Sequence, residues 1–203
     1  AADLEAAVRR NRLIQGEANP AKETIAIEVA IAPGNRAPRG LSVVRSILST
    51  VGQHLDRRGI HRLNTFGVSY QGDGVLLLLP SGGGKSTLAL RLLGRPEFRL
   101  LGEDTPLIDR RGQILPFPLR MGVRPGQDTG IPAEYLRTMD RMEFDPKTLI
   151  DIEYFRDRIG GATAPRLLLV GQRNLGTVSE IVPLGHAGAL RALVNNMVVG
   201  LGV

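Results

Sequence analysis

A lysine and a serine that follow three consecutive glycines are the residues of this chain best suited to chemistry. Residues 80–87 read P-S-G-G-G-K-S-T, directly after the apolar run at 75–79. Glycines adopt backbone angles closed to other residues, so successive N–H groups can turn inward and cradle an anion. Lys85 would add a charge over the outer phosphates, and the Ser86 hydroxyl would ligate Mg²⁺. The predicted nucleotide-binding residues are Ser81, Gly82, Gly83, Gly84, Lys85, Ser86 and Thr87.

One position departs from the usual phosphate-loop (Walker A) pattern, G-x-x-x-x-G-K-[ST]. Leu79 stands where the first glycine is expected, and Pro80 follows it, so the entrance of the loop is stiffer than usual. The simpler alternative is a glycine-rich turn with a chance lysine. We favour the phosphate loop because strand, loop and helix follow one another in the required order.

The residues around the loop are predicted to form a hairpin, a helix and a further strand. Residues 65–70 and 75–79 are predicted to be two strands, joined by a glycine-containing turn at 71–74. A helix is expected over 86–93, and a short strand over 98–101 ends at an acidic pair, Glu103 and Asp104. Further predicted elements are helices at 1–15, 41–55, 132–139 and 186–198, strands at 24–32, 166–170 and 178–182, and a hairpin of 106–109 with 114–117. Residues 120–145 are otherwise expected to be irregular.

This alternation predicts an α/β fold in which helices flank a mixed β-sheet. At 203 residues, the chain suits one domain, or one domain with an N-terminal appendage. We expect residues 1–60 to form a helix, strand and helix that pack on a domain of residues 61–203.

Composition narrows the classes of function. The absence of cysteine excludes disulfides and thiolate metal sites, and it fits a reducing cytoplasm. No apolar run approaches the ~18 residues of a membrane span, so no membrane partner is expected. The net charge is +6, mostly from arginine, which a GC-rich genome also explains. No aromatic residues interleave with a basic stripe, and nucleic-acid binding is therefore not expected.

The stretch from Asn64 to Asp104 resembles the HPr serine kinase family, whose fold is similar to that of phosphoenolpyruvate carboxykinases. Three segments carry the resemblance: F-G-V-S-Y-Q-G-D-G-V-L-L-L before the loop, P-S-G-G-G-K-S-T-L-A-L at the loop, and R-L-L-G-E-D-T-P-L-I-D-R-R-G-Q-I-L-P-F-P after it. The resemblance covers about half of the chain. It implies a mixed sheet with a P-loop and flanking helices.

Carried over by position, the resemblance gives roles to four residues. Lys85 would hold the β-phosphate region, and Ser86 and Asp104 would hold Mg²⁺. Glu103 would accept the proton of the acceptor hydroxyl, although the family usually has Asp at this position. Asn64 stands where relatives carry a histidine, and it cannot titrate. The alternative for the acidic pair is a solvated turn after a strand.

The resemblance implies an ATP- and Mg²⁺-dependent kinase that transfers the γ-phosphoryl group to a hydroxyl, expected to be a serine of a protein or peptide. Arg120, Arg124 and Arg173 are candidates to neutralise charge on the transferred group. Two other classes stay open: a switch or motor NTPase that hydrolyses nucleotide, and a nucleotide-binding module without catalysis. Related proteins often assemble, so a homo-oligomer is open as well, with the apolar C-terminal helix as one contact surface.

Overall fold

A tight hairpin supplies the two central strands of a four-stranded sheet. The computed structural model describes residues 41–80, 82–141, 144–172 and 180–199. Strands β2 (Phe66–Tyr70) and β3 (Asp73–Leu78) pair antiparallel. Gln71 and Gly72 connect them, with φ of 51° and 93°. Positive φ at both central residues is the geometry of a type I′ turn, whose twist matches that of the flanking strands. The predicted hairpin is confirmed.

The hairpin belongs to a mixed four-stranded sheet that lies next to the glycine-rich loop. Strand β4 (Phe98–Gly102) pairs antiparallel with β2, and β10 (Pro165–Val170) pairs parallel with β3. Helix α2 (Lys85–Leu93) starts directly after the loop. It packs its buried residues Ala89 and Leu93 into the main aliphatic core with Phe66, Val68 and Leu100. The predicted α/β class with a mixed sheet is therefore correct.

The described residues also form two smaller sheets. One has the order β11-β1-β5-β6 and the other the order β7-β9-β8. Their strands are β1 (His61–Leu63), β5 (Leu107–Ile108), β6 (Ile114–Leu115), β7 (Met121–Val123), β8 (Leu136–Arg141), β9 (Phe144–Ile150) and β11 (Met197–Val198). The other helices are α1 (Leu41–Arg57), α3 (His186–Asn195) and two 3₁₀ segments, Ala133–Tyr135 and Ile152–Arg158. The described residues from 44 onward form one compact unit.

Three of the sequence predictions are wrong. The helix expected at 132–139 is a single 3₁₀ turn followed by β8, because pairing with β9 overrides local helix propensity. Strands β7 and β8 and the start of β9, which form a three-stranded sheet, lie within the stretch 120–145 that was expected to be irregular. Residues 180–182, the described part of the strand expected at 178–182, are not in a strand.

The closing helix is shorter than predicted. It ends at Asn195, where the Asn196 side chain donates to the Ala192 carbonyl at 2.8 Å and caps the last turn. Met197 then pairs with Leu63, so the chain returns to a sheet instead of continuing as a helix. The helix predicted at 41–55 and the hairpin of 106–109 with 114–117 are confirmed in outline. The elements predicted at 1–15 and 24–32 lie outside the described residues.

Candidate functional site

The glycine-rich loop uses glycine where the backbone demands it. Gly82 and Gly84 have φ of 73° and 97°, values that L side chains rarely adopt. Gly84 is the N-cap of α2, and no described side chain caps this end of the helix. The Gly83 N–H is already bonded to the Pro80 carbonyl at 2.9 Å. The N–H groups of the first helical turn therefore offer the main anion-binding potential of the loop.

Lys85 is held at the start of α2 by two acceptors. Its ammonium lies 3.0 Å from the Asn64 Oδ1 and 3.0 Å from the Asp104 Oδ1. The lysine side chain is only 11% exposed, whereas that of Asp104 is 57% exposed. An ion pair with one solvated partner contributes little, about 0.2–1 kcal/mol. The ammonium can therefore exchange these partners for an incoming phosphate.

Ser86 contacts the other carboxylate of the acidic pair. Its hydroxyl donates to the Glu103 Oε1 at 2.5 Å, and Glu103 is 7% exposed. Burial raises the pKa of Glu103 above its ordinary value of 4.5, and the charge of Asp104 adds to the rise. The hydrogen bond from Ser86 and the charges of Lys147 and Lys85 oppose it.

Close packing of two glycines positions the acidic pair. Gly67 of β2 pairs with Gly102 of β4, and Pro106 packs on both. A Cβ on Gly102 would lie 2.8 Å from the Pro106 nitrogen, and one on Gly67 would lie 3.1 Å from the Pro106 side chain. The chain therefore bends sharply after β4. The Thr65 N–H also bonds the Asp104 carbonyl at 3.2 Å.

Lys147 is a charged residue near the site that sequence reasoning missed. It lies on β9, it is half-buried, and its charge acts on Glu103. The pairing of β9 with β7 brings it there from 44 residues beyond Glu103 in the chain. The sequence predicted no strand at 121–123 or 144–150, so it gave no sign of this pairing.

An apolar cavity adjoins the entrance of the loop. Its volume is about 450 Å³, and it opens at the C-terminal ends of the parallel strands β3 and β10. The lining residues are Leu78, Leu79, Pro80, Val170, Gly171, Gln172 and Asn196. The carboxyl ends of parallel strands are where open α/β sheets bind ligands. The Asn64 N–H donates a hydrogen bond of 2.7 Å to the Asn196 carbonyl, and this contact links the cavity to the residues around Lys85.

The other predicted residues lie apart from this cluster or outside the described residues. Thr87 is exposed on the first turn of α2, and Arg120 and Arg124 are exposed on either side of β7. Ser81 and Arg173 lie outside the described residues. The structure thus brings Asn64, Lys85, Ser86, Glu103 and Asp104 together, as a shared site requires.

The described parts of the chain contain no cluster of three or more His, Cys, Asp or Glu side chains that could hold a metal by themselves. They also contain no helix long and apolar enough to cross a bilayer. No protein-family model matches the sequence, and a comparison with curated proteins finds no significant match. The resemblance to HPr kinases therefore rests on the motifs alone.

Proposed function

We propose that the protein is an ATP-dependent kinase of the HPr-kinase-like type, with a P-loop at residues 80–87. The observation that carries this proposal is the convergence of two loop residues on the acidic pair. Lys85 lies 3.0 Å from Asp104, and Ser86 lies 2.5 Å from Glu103. Phosphoryl transfer needs this combination, because the reaction depends on positioning, charge neutralisation and one carboxylate beside the attacking hydroxyl.

The acceptor in this proposal is a serine hydroxyl of a protein or peptide. A carboxylate takes the hydroxyl proton as the oxygen bonds to the γ-phosphorus. The bond between that phosphorus and the bridging oxygen breaks, and ADP leaves with the electron pair. The exposure of Asp104 supports an acceptor of this size, because the carboxylate is open to a chain that approaches from solvent. The cavity beside Leu79 would receive the nucleoside, with apolar walls for the base.

The contacts favour a division of roles within the acidic pair that reverses the one implied by the resemblance. Glu103 is buried and bonded to the Ser86 hydroxyl, so it is suited to orient that hydroxyl. Asp104 is exposed and lies beside the Lys85 ammonium. We therefore assign proton acceptance to Asp104 and the orientation of Ser86 to Glu103.

The residues present fit a magnesium ion that is shared with nucleotide phosphates. Mg²⁺ prefers oxygen ligands and usually takes only one or two from protein carboxylates, with phosphates and water completing the shell. The Ser86 hydroxyl and the adjacent carboxylate of Glu103 supply such oxygens. When bound, the ion would neutralise phosphate charge.

The test measures both binding and turnover. Purified protein is melted with and without MgATP, and it is then incubated with labelled ATP and candidate peptides. We expect MgATP to raise Tm and a serine peptide to acquire label. Lys85→Ala should lower turnover by about 100-fold, as loss of one transition-state charge contact does. Arg111→Ala, which removes an exposed positive charge from the β5–β6 turn, is the matched control.

Other results of this test would favour one of the alternative functions. ATP hydrolysis that no peptide alters but a protein partner stimulates would favour a switch or motor NTPase. Tight ATP binding without turnover would favour a nucleotide-binding module. If MgATP leaves Tm unchanged and no label is transferred, the proposed function is wrong.

A further inference from the structure

We propose that Leu79 is a specificity-determining residue, whose side chain contacts the base of the bound nucleotide and limits which nucleosides the apolar cavity accepts. The inference rests on the proposed function, which places the nucleoside in that cavity. It gives a role to the one position at which the loop departs from the Walker A pattern, where Leu79 stands in place of a glycine.

The Leu79 side chain lies over a glycine at the end of the neighbouring strand. The Gly171 N–H donates to the Leu78 carbonyl at 2.8 Å, which extends the parallel pairing of β10 with β3 and brings Gly171 beside Leu79. A Cβ on Gly171 would overlap the Cδ2 atom of Leu79. The φ of Gly171 is not in the left-handed region, so its backbone does not require glycine. Glycine at this position therefore makes room for the Leu79 side chain.

Leu79 is enclosed by the loop and the core as well as by β10. A Cβ on Gly83 would lie 3.3 Å from the Leu79 Cβ, so the phosphate loop approaches it closely. Leu79 also packs against the main aliphatic core, which includes Ala89 of α2. These contacts leave the cavity, which Leu79 lines, as the open side of the residue. A side chain that is displaced or shortened at this position therefore changes the shape of the cavity.

The size of the cavity and its position beside the loop suit a nucleoside. Its volume of about 450 Å³ is within the usual range of small-molecule pockets, roughly 300–1,000 Å³. Pro80 lines the cavity and is also the first residue of the loop, so the cavity is continuous with the proposed phosphate site. A nucleotide whose phosphates lie on the loop can therefore extend its nucleoside into the cavity.

The chemistry of the cavity wall favours selection by shape. Among the described lining residues, only Gln172 and Asn196 have polar side chains. The Asn196 amide already donates to the Ala192 carbonyl at 2.8 Å, so its N–H group is engaged in capping α3. Aliphatic walls discriminate between ligands by fit, and one methylene more or less changes affinity measurably. Leu79 is the wall residue whose fit depends on a single neighbouring glycine.

The first test compares MgATP with magnesium tripolyphosphate, which has the phosphates without a nucleoside, by calorimetry. Gly171→Ala adds one methyl group that pushes the end of the Leu79 side chain into the cavity. We expect it to weaken ATP binding about tenfold, as one extra methyl group in an apolar pocket does, and to leave tripolyphosphate binding unchanged. Gly161→Ala, where the added Cβ meets nothing within 4 Å, is the matched control.

The second test enlarges the cavity and uses an ATP analogue with a benzyl group on the adenine amino group. Leu79→Ala removes the branched end of the side chain, so we expect it to bind this analogue about tenfold more tightly than the wild type does. In the Leu79→Ala background, Gly171→Ala should have no further effect on ATP binding, because its methyl group no longer meets Cδ2. Tm checks the folding of each variant. Leu79→Val, which loses a single carbon, gives the same comparison if Leu79→Ala does not fold.

Several results would overturn the inference. They are an unchanged ATP affinity in Gly171→Ala, equal losses for ATP and tripolyphosphate, and no gain in affinity for the benzyl analogue when Leu79 is shortened. Equal affinities of the wild type for ATP and tripolyphosphate would also overturn it, because the nucleoside would then contribute nothing. In each case Lys85→Ala still reports on the proposed function, since it should weaken both ligands. If the wild-type protein binds neither ligand, the proposed function and this inference are both wrong.

Discussion

Glu103 and Asp104 are neighbours in the chain, but they occupy different environments. The first is 7% exposed and bonded to a hydroxyl, and the second is 57% exposed beside an ammonium. Environments that differ in this way let two adjacent carboxylates take different parts in one reaction. The bend after β4 produces the difference, because it turns one side chain inward and leaves the other at the surface.

The proposed roles predict a specific result for Asp104→Asn. Loss of the proton acceptor should lower turnover by about 10²–10⁴-fold. Stability should change by less than about 1 kcal/mol, because the ion pair with Lys85 is solvated on one side. Peptide phosphorylation and thermal melting measure the two effects. If Asp104→Asn keeps full turnover while Glu103→Gln abolishes it, Glu103 is the proton acceptor, as the resemblance implies, and our assignment of that role to Asp104 is wrong.

The site residues were predictable from the sequence where a local motif contains them. The loop pattern singled out Lys85 and Ser86, and the strand end singled out Glu103 and Asp104. The pairing among them was not predictable, because it depends on how Pro106 packs against Gly67 and Gly102. Lys147 was missed for a related reason, since only strand pairing brings it near the site.

At the scale of elements, the junction between loop and helix determines how an anion can be bound. Gly84 is both the N-cap of α2 and a residue with φ of 97°. A side chain in this left-handed region costs about 1–2 kcal/mol. The sequence therefore keeps the first helical turn bare at the point where phosphate would bind.

A comparison of two N-cap glycines tests this argument. Gly84 and Gly185 cap α2 and α3, and an added Cβ would meet nothing within 4 Å at either. They differ in φ, which is 97° at Gly84 and −66° at Gly185. Gly84→Ala should lower Tm by roughly 4 °C and weaken ATP binding. Gly185→Ala should lower Tm less, because it loses only the preference for glycine at an N-cap and no positive φ. Equal changes in both variants would contradict the role of the positive φ.

Elements were predictable where a local signal was strong. The turn at Gln71 and Gly72 marked the β2–β3 hairpin, and the glycines marked the start of α2. The β8–β9 pair was not predictable, since residues 132–139 have helix-compatible spacing and only the partner strand makes them extended. The C-terminal helix ended early for the same reason, because β11 pairs with β1.

At the scale of the whole molecule, the site combines parts of all three sheets. Strands β3 and β4 of the mixed sheet lead into the loop and the acidic pair. Strand β1, which belongs to the sheet that contains β11, leads into Asn64. The three-stranded sheet contains Lys147, whose charge acts on Glu103. Forming this site buries Glu103, and a buried carboxylate opposes folding whenever it is ionised.

The linkage between the charge of Glu103 and folding has a definite sign. Its pKa is raised in the folded protein above the ordinary value of 4.5, so the folded state binds more protons than the unfolded state between the two pKa values. The stability that Glu103 contributes therefore falls as pH rises from about 4.5 through the raised pKa. Above that range, the full penalty of a buried charge is present.

Glu103→Gln should remove this penalty while keeping the acceptor for the Ser86 hydroxyl. At pH 8 we expect the variant to melt higher than the wild type, by on the order of 2 °C, while its turnover falls. The difference in Tm should shrink as the pH is lowered toward 4.5, because the wild-type carboxyl group then becomes neutral in the folded state. Melting curves across this range measure the effect, and the exposed Glu134→Gln serves as the control. A Tm difference that is independent of pH, or a variant less stable at pH 8, would show that the charge of Glu103 is not what opposes folding, and the burial of this carboxylate would need another explanation.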